Sequence, residues 1–313
     1  MKRITIKDLA EMLNINISTV SRALSNHPDI STAVKLRVKE AAELLNYRPN
    51  DFAVNFRKRS SKTIGLIIPQ MSLFFIPAVI EGISKTLAKA GFKVFILSSE
   101  ESLEKEKENM EICCNSNVEG ILISVSKNTK NLDHLCVADQ MKLPIVLFDK
   151  SLSQDQYPQV IFDSEQTAMQ CAEKLVSFGC KNIFAIYGDE KLDITIYRKK
   201  GFETIILQYP EISYHYIFAD SSYETKEKLL ETDGLENMDG FFAMSDETLL
   251  GLNPVLQMRN TDLKHKKIVA ISEGVIPQYL NPLYEYEKHS GLEMGILSAE
   301  KLLEVIKENA LAT

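Results

Sequence analysis

From Thr63 onward short apolar runs alternate with amphipathic stretches, and this rhythm narrows the possible folds more than any other feature of the chain. TIGLIIP (63–69), FKVFILS (92–98), EGILISV (119–125) and LPIVLFD (143–149) form the first series. Helical periodicity fills the intervals, at about 77–90, 102–116 and 129–141. Continuous apolar strands separated by helices imply a parallel sheet buried on both faces. A second series repeats the plan: QVIFD (159–163), KNIFAIY (181–187), SYHYIFA (213–219), GFFAM (240–244) and KIVAIS (267–272). Helices at about 165–178, 198–208, 223–232 and 246–258 alternate with it. Two doubly wound lobes are therefore expected within residues 63–313, lobe one at about 63–158 plus 291–308 and lobe two at about 159–290. A last helix, about 292–308, would cross back to the first lobe.

Ahead of this body lies ITIKDLAEMLNINISTVSRAL, residues Ile4 to Leu24, which reads as two short helices joined by a tight turn. Thr5 and Asp8 have the spacing of a capping box, and Ile6, Leu9, Ala10 and Leu13 give the first helix an apolar face. Asn14-Ile15-Asn16 breaks the pattern, and either Asn16 or Ser18 can cap the second helix. That helix buries Val20, Ala23 and Leu24 and presents Ser18, Thr19, Ser21 and Arg22. Such a face suits a major groove, with hydroxyls reaching phosphates and Arg gripping a guanine edge. An ordinary helical hairpin with a solvated face fits the same pattern. A third helix, from about Thr32 to Asn46 with Ser31 as its cap, closes a small core through Val34, Val38, Ala41 or Ala42, and Leu45. Residues 1–49 thus form a three-helix head of marginal stability, and 50–62 a linker.

Composition matters mainly through charge. Residues 1–62 carry 12 Lys and Arg against 6 Asp and Glu, a net of +6, which leaves −13 for the remainder of a chain whose total is −7. A basic head on an acidic body fits a nucleic-acid module joined to a part with another partner. No run of 18 apolar residues occurs, so no membrane association is expected, and the N-terminus lacks a secretory apolar region, which predicts the cytoplasm. Five cysteines without C-x-x-C spacing point to reduced thiols buried in a core.

T-I-x-D-x-A, then S-T-V-S-R-A-L, then N-Y-R-P-N resemble the N-terminal module of the lac-repressor (LacI/GalR) family, without gaps from Ile4 to Phe56 and more weakly to about Lys307. The resemblance implies an α+β multi-domain protein. Its helix-turn-helix head and hinge helix would precede a bilobal α/β effector body like the type I periplasmic binding proteins. It implies base reading by Ile17, Ser18 and Arg22, and phosphate contacts by Thr5, Asn16, Thr19, Ser21 and Tyr47. Ala53, Phe56 and Arg57 would form the minor-groove hinge, with Phe56 where the family usually wedges Leu between base steps. A flexible basic tether is the other reading of that linker. The partners implied are a near-palindromic double-stranded DNA operator, a small-molecule effector of the carbohydrate class and a second copy of the chain.

Ligands of open α/β sheets bind beyond the carboxyl ends of strands. That rule selects Phe74, Phe75, Asp149, Asp163, Ser245, Asp246, Ser272 and Glu273. Arg198 joins them because it stands where the resemblance places an effector-gripping Arg. Asp163 and Asp246 are equally placed to cap helices, and Phe74 and Phe75 to be core. Two departures stand out: A-I-S-E puts Ser272 where the family commonly has Asp, and Y-E-Y-E-K-H-S replaces the T-T-V-x-Q-P-like segment. The family also usually continues beyond its last helix with strands that return to the second lobe, whereas this chain ends at Thr313.

No G-x-S-x-G, H-E-x-x-H, Walker-type loop or G-x-G-x-x-G occurs, and the five His share no ligand spacing, so neither catalysis nor a cofactor is expected. The expected function is that of a sequence-specific transcription regulator, a repressor under effector control. The alternatives are a DNA-binding protein that has lost its effector response, and a cytoplasmic sugar-binding receptor or sugar-acting enzyme whose N-terminal helices only mediate association.

Overall fold

The structure is a computed structural model that describes residues 4–47, 60–71, 74–150, 156–259 and 265–311. The chain divides into two compact units, Met1–Ser61 and Lys62–Thr313. The hinge residues Ala53, Phe56 and Arg57 lie outside the described residues.

In the first unit α1 (Ile6–Leu13) opens on the expected capping box, with Thr5 and Asp8 satisfying each other's backbone N–H groups. Asn14 ends it in the left-handed region that Asn tolerates. Helix α2 (Ile17–Leu24) comes after Asn16, whose side chain makes no capping hydrogen bond. Helix α3 (Thr32–Leu44) is capped by Ser31, whose hydroxyl accepts from Val34 N–H at 3.4 Å. It stops two residues short of the expected Asn46. Leu9, Val20 and Val38 are fully buried where the helices meet, with Ala10, Ala23, Ala41 and Ala42 around them. Leu24, expected in the core, is only partly buried at its edge.

The second unit contains two five-stranded sheets in which every pairing is parallel. Sheet one comprises β1 (Thr63–Ile68), β2 (Lys93–Ser98), β3 (Ile121–Ile123), β4 (Ile145–Phe148) and β5 (Gln159–Val160), ordered β2-β1-β3-β4-β5. Sheet two comprises β6 (Asn182–Tyr187), β7 (Ser213–Phe218), β8 (Gly240–Ala243), β9 (Lys267–Ser272) and β10 (Glu285–Lys288), ordered β10-β9-β8-β6-β7. The first departure from expectation is β5, which belongs by sequence to the second series but pairs with β4 through Leu147 and Phe148. Lobe one therefore extends through Val160. The second is β10, an edge strand in the polar Y-E-Y-E-K stretch. It carries no apolar run, and its four residues are at most half-buried.

Helices α4 (Phe75–Lys89), α5 (Leu103–Asn115) and α6 (Cys136–Gln140) cover sheet one. Around sheet two lie α7 (Ser164–Ser177), α8 (Asp193–Ile206), α9 (Ser222–Glu231), α10 (Asp246–Met258) and α11 (Val275–Leu280). The expected helix at 129–141 shrinks to a 3-10 turn, Asp133–Leu135, followed by α6. The one expected at 198–208 begins five residues earlier, so Arg198 lies within α8 rather than at its start. Finally α12 (Gly291–Leu311) returns to lobe one and packs on α4. Their backbones come so close that a Cβ on Gly82 would stand 2.3 Å from the Leu292 carbonyl oxygen, and one on Gly295 2.2 Å from that of Val79.

Cys113, Cys114, Cys171 and Cys180 are buried, and burial pushes the thiols of Cys113 and Cys171 up to about 12. Cys136, expected to be buried, is exposed at the start of α6. Among the described residues no helix is long and apolar enough to cross a membrane.

Candidate functional site

The carboxyl ends of strands from both sheets face one cleft of about 210 Å3. β4 delivers Asp149, β6 Asp189, β7 Asp220, β8 Ser245 and Asp246, and β9 Ser272 and Glu273. Phe75 enters from the first turn of α4 and Arg198 from α8. The expected effector residues Phe75, Asp149, Arg198, Ser245, Asp246 and Ser272 thus all line the same space. Asp163 does not. It caps α7 by accepting Gln166 N–H at 2.8 Å, and it lines a neighbouring cavity.

Arg198 is the most unusual of these groups. It is 4% exposed, its Nη1 donates to the Met244 carbonyl at 2.6 Å, and its Nε has no hydrogen-bond partner among the described residues. Burial lowers the guanidinium to about 10, against the opposing pull of Asp149. Burying a cation and leaving one of its N–H groups unsatisfied both cost stability, and the nearby carboxylates of Asp149, Asp246 and Glu247 offset part of that cost. Asp149 adopts a left-handed backbone (φ 69°) that an L-residue holds only at a cost in energy, and it accepts from Ser124 Oγ at 3.3 Å. Burial raises its pKa, opposed by Lys150, Ser124 and Arg198.

Two of the second lobe's polar candidates bind each other. Ser272 Oγ donates to Asp246 and accepts from Gly274 N–H at 2.9 Å, while Asp246 also accepts Glu273 N–H at 3.0 Å. Asp246 is therefore a brace for the β9–α11 loop rather than a helix cap. Ser245 is the cap of α10, in a reciprocal box with Thr248. Phe75 lines the cleft from the edge of the lobe-one core. It packs against the lobe-one core and stacks on His289 at 5.0 Å, and Phe162 meets the same imidazole edge-on at 5.2 Å.

Asp189, Asp220, Glu247 and His289 were missed in the sequence, although Asp189 and Asp220 lie just after expected strand ends, where the rule already applied to Asp149 would have found them; His289 follows β10, which the apolar pattern did not signal. Glu247 gave no such signal, being the second residue of α10.

On the head, Ile17, Ser18 and Arg22 are exposed, Ile17 at 36%, and Ser18 and Arg22 fall four residues apart on one face of α2. Thr19 and Ser21 are half-buried beside them. Thr5 is exposed, but its hydroxyl is already bonded to Asp8. Tyr47 packs against the head's core.

Residues 5–50 match the family model described as bacterial regulatory proteins, lacI family, and residues 61–280 match that of periplasmic binding proteins and the sugar binding domain of the LacI family. The chain belongs to the LacI family. As a member it is a DNA-binding transcription regulator and not an enzyme. It is 29% identical to catabolite control protein A of Priestia megaterium over 259 residues, 80% of this chain and 76% of that protein. Identity with the sucrose operon repressor of Streptococcus mutans is 28% over 282 residues, 90% of this chain and 85% of the repressor. The lac repressor dimer bound to operator and the anti-inducer ONPF has the same fold, with a TM-score of 0.84 at 19% identity, covering 99% of this chain and 94% of that one.

In this LacI-family regulator His289 ties the lobes' apolar contact to pH. Burial, with the Arg198 charge, holds its imidazole well below the ordinary 6.5. Below that value the unfolded chain takes up a proton that the fold refuses, so this group makes stability fall as pH falls through 6.5. His289→Phe keeps the aromatic contacts and removes the titration. The variant is expected to lose less stability than the parent between pH 7 and about 5, by an amount approaching one proton, about 1.4 kcal/mol per pH unit. Parallel losses in urea unfolding at the two pH values would refute the role. The raised carboxylates nearby titrate in both proteins and cancel from the comparison.

Proposed function

We propose that the protein is a homodimeric cytoplasmic repressor that reads a near-palindromic operator through α2 and is controlled by a small carbohydrate-class effector in the cleft. The observation that carries this reading is Arg198. An Arg buried with an unpartnered Nε at the meeting of strand ends from two lobes supplies a reason for a ligand to bind there. In this reading Ile17, Ser18 and Arg22 touch bases, and Thr5, Asn16, Thr19, Ser21 and Tyr47 touch phosphates. Ala53, Phe56 and Arg57 supply the minor-groove hinge. Ligand acts only through unequal affinity for two lobe arrangements, one of which suits the operator.

Selection from a random duplex library, followed by anisotropy titration of the winner, tests the proposal. The selected site should be a near-palindrome, because two-fold protein symmetry is mirrored in the half-sites. Arg22→Ala should cost about 1–3 kcal/mol on that site and relax the preference at one base position, leaving non-specific binding and its salt slope nearly unchanged. An Arg22→Ala protein that still discriminates among operators as the parent does would remove α2 from base reading.

A further inference from the structure

Carboxylates outnumber cations in the cleft to a degree that local pairing does not relieve. Glu101 is paired with Lys150 at 3.1 Å, and Asp189 with Lys127 at 3.6 Å. Five remain: Asp149, Asp220, Asp246, Glu247 and Glu273 face a space whose other cation is Arg198. All five are raised above their ordinary values, burial being the first cause in each. Asp149, Asp246 and Glu273 at least accept hydrogen bonds from the protein.

Glu247 and Asp220 are different. Glu247 is half-buried, Asp220 is exposed to the cleft, and among the described residues neither carboxylate has a hydrogen bond or an ion pair. Glu247 feels Asp246 and Asp220 as like charges with Arg198 opposing them, while Asp220 is offset by Lys127 against the like charges of Asp189, Glu224 and Glu101. The cleft lining thus has complementary needs: among the described residues the buried Arg198 Nε lacks an acceptor, and the Glu247 and Asp220 carboxylates lack a donor.

Building on the effector reading above, we infer that the ligand is a hydroxylated amine of amino-sugar type, its oxygens meeting Arg198 and its ammonium meeting Glu247 and Asp220. An ammonium supplies three donors where the two carboxylates accept none, and adds positive charge to a lining in which carboxylates are in excess. A neutral sugar supplies donors without the charge. A phosphate monoester brings more negative charge into a site that already carries an excess, which the low-dielectric walls make more costly than in water. The volume of the cleft, about 210 Å3, falls below the usual range for drug-sized ligands of roughly 300–1,000 Å3 and suits a single small ring.

The test is equilibrium dialysis of the full-length protein at neutral pH against three matched pools, read by mass spectrometry: common neutral monosaccharides, their 2-amino counterparts, and their phosphate monoesters. The amino pool should contain the best-retained compound, held about tenfold more strongly than its neutral parent, with its phosphate ester not retained. In the double variant Glu247→Gln, Asp220→Asn, whose fold is checked by cooperative urea unfolding, that tenfold preference should collapse towards parity. Retention of a phosphate ester or a neutral sugar above the amine overturns the charge assignment and leaves the effector reading standing, as does a preference unchanged in a folded double variant. Retention from no pool by a protein that still binds duplex DNA overturns both.

Discussion

Replacing Glu106 by alanine is expected to lower the stability of the body by about 3–5 kcal/mol, the scale of breaking a fully buried charged interaction. Glu106 on α5 is completely buried, and its two oxygens hold one loop from beneath. Oε2 accepts Ser126 N–H at 2.5 Å, Oε1 accepts the Thr129 hydroxyl at 2.8 Å, and His134 Nε2 lies 2.9 Å from Oε1. Truncation would strand the Ser126 N–H out of water and take the carboxylate away from the Thr129 hydroxyl and the His134 ring, leaving Thr129 only its contact with Ser126 Oγ at 2.9 Å. The same loop carries Lys127, whose amine lies 3.6 Å from Asp189 in the other lobe, so its loosening also frees one connection across the cleft. Urea unfolding measures the loss. Glu106→Gln keeps one acceptor and should lose less, whereas a Glu106→Ala protein within about 1 kcal/mol of the parent would show that the loop stands without it.

That network was illegible in the sequence, because Glu106 and His134 are separated by 28 positions and neither belongs to a motif. The periodic parts fared better. Strands such as TIGLII and KIVAIS are covered on both faces, so an unbroken apolar run was enough to place them. β10 and the two-residue β5 lack that signal. β10 is built of Glu, Tyr and Lys, and β5 is defined by its pairing with β4 rather than by its own residues. Caps were readable where a hydroxyl or carboxylate stands one position before the periodic stretch, as at Thr5, Ser31 and Asp163. For the cleft, the strand-end rule identified the neighbourhood, but it could not tell Asp246, already bonded to Ser272, from Glu247, which has no such partner. Adjacent carboxylates on one helix turn look alike in a sequence, and only burial and bonding separate them.

Arg198→Met is expected to give a more stable protein that no longer responds to effector. Burial holds the guanidinium at about 10 instead of 12.5, which corresponds to about 3 kcal/mol against the charged form. Methionine approximates the length of the side chain, carries no charge to desolvate and leaves no unsatisfied Nε. It does remove the donor to the Met244 carbonyl, so a net gain of about 1–2 kcal/mol is the reasonable expectation. In the same variant the thermal shift given by the best-retained compound of the dialysis pools should vanish, since the donor that meets its oxygens is gone. A protein that keeps such a costly cation in its ligand-free state is stabilised most by whatever finally meets it, because ligand binding then adds its own contacts and relieves the penalty together. If Arg198→Met instead destabilises the unliganded protein by more than about 2 kcal/mol, the guanidinium belongs to the fold's own bonding and the cleft loses its principal reason to bind.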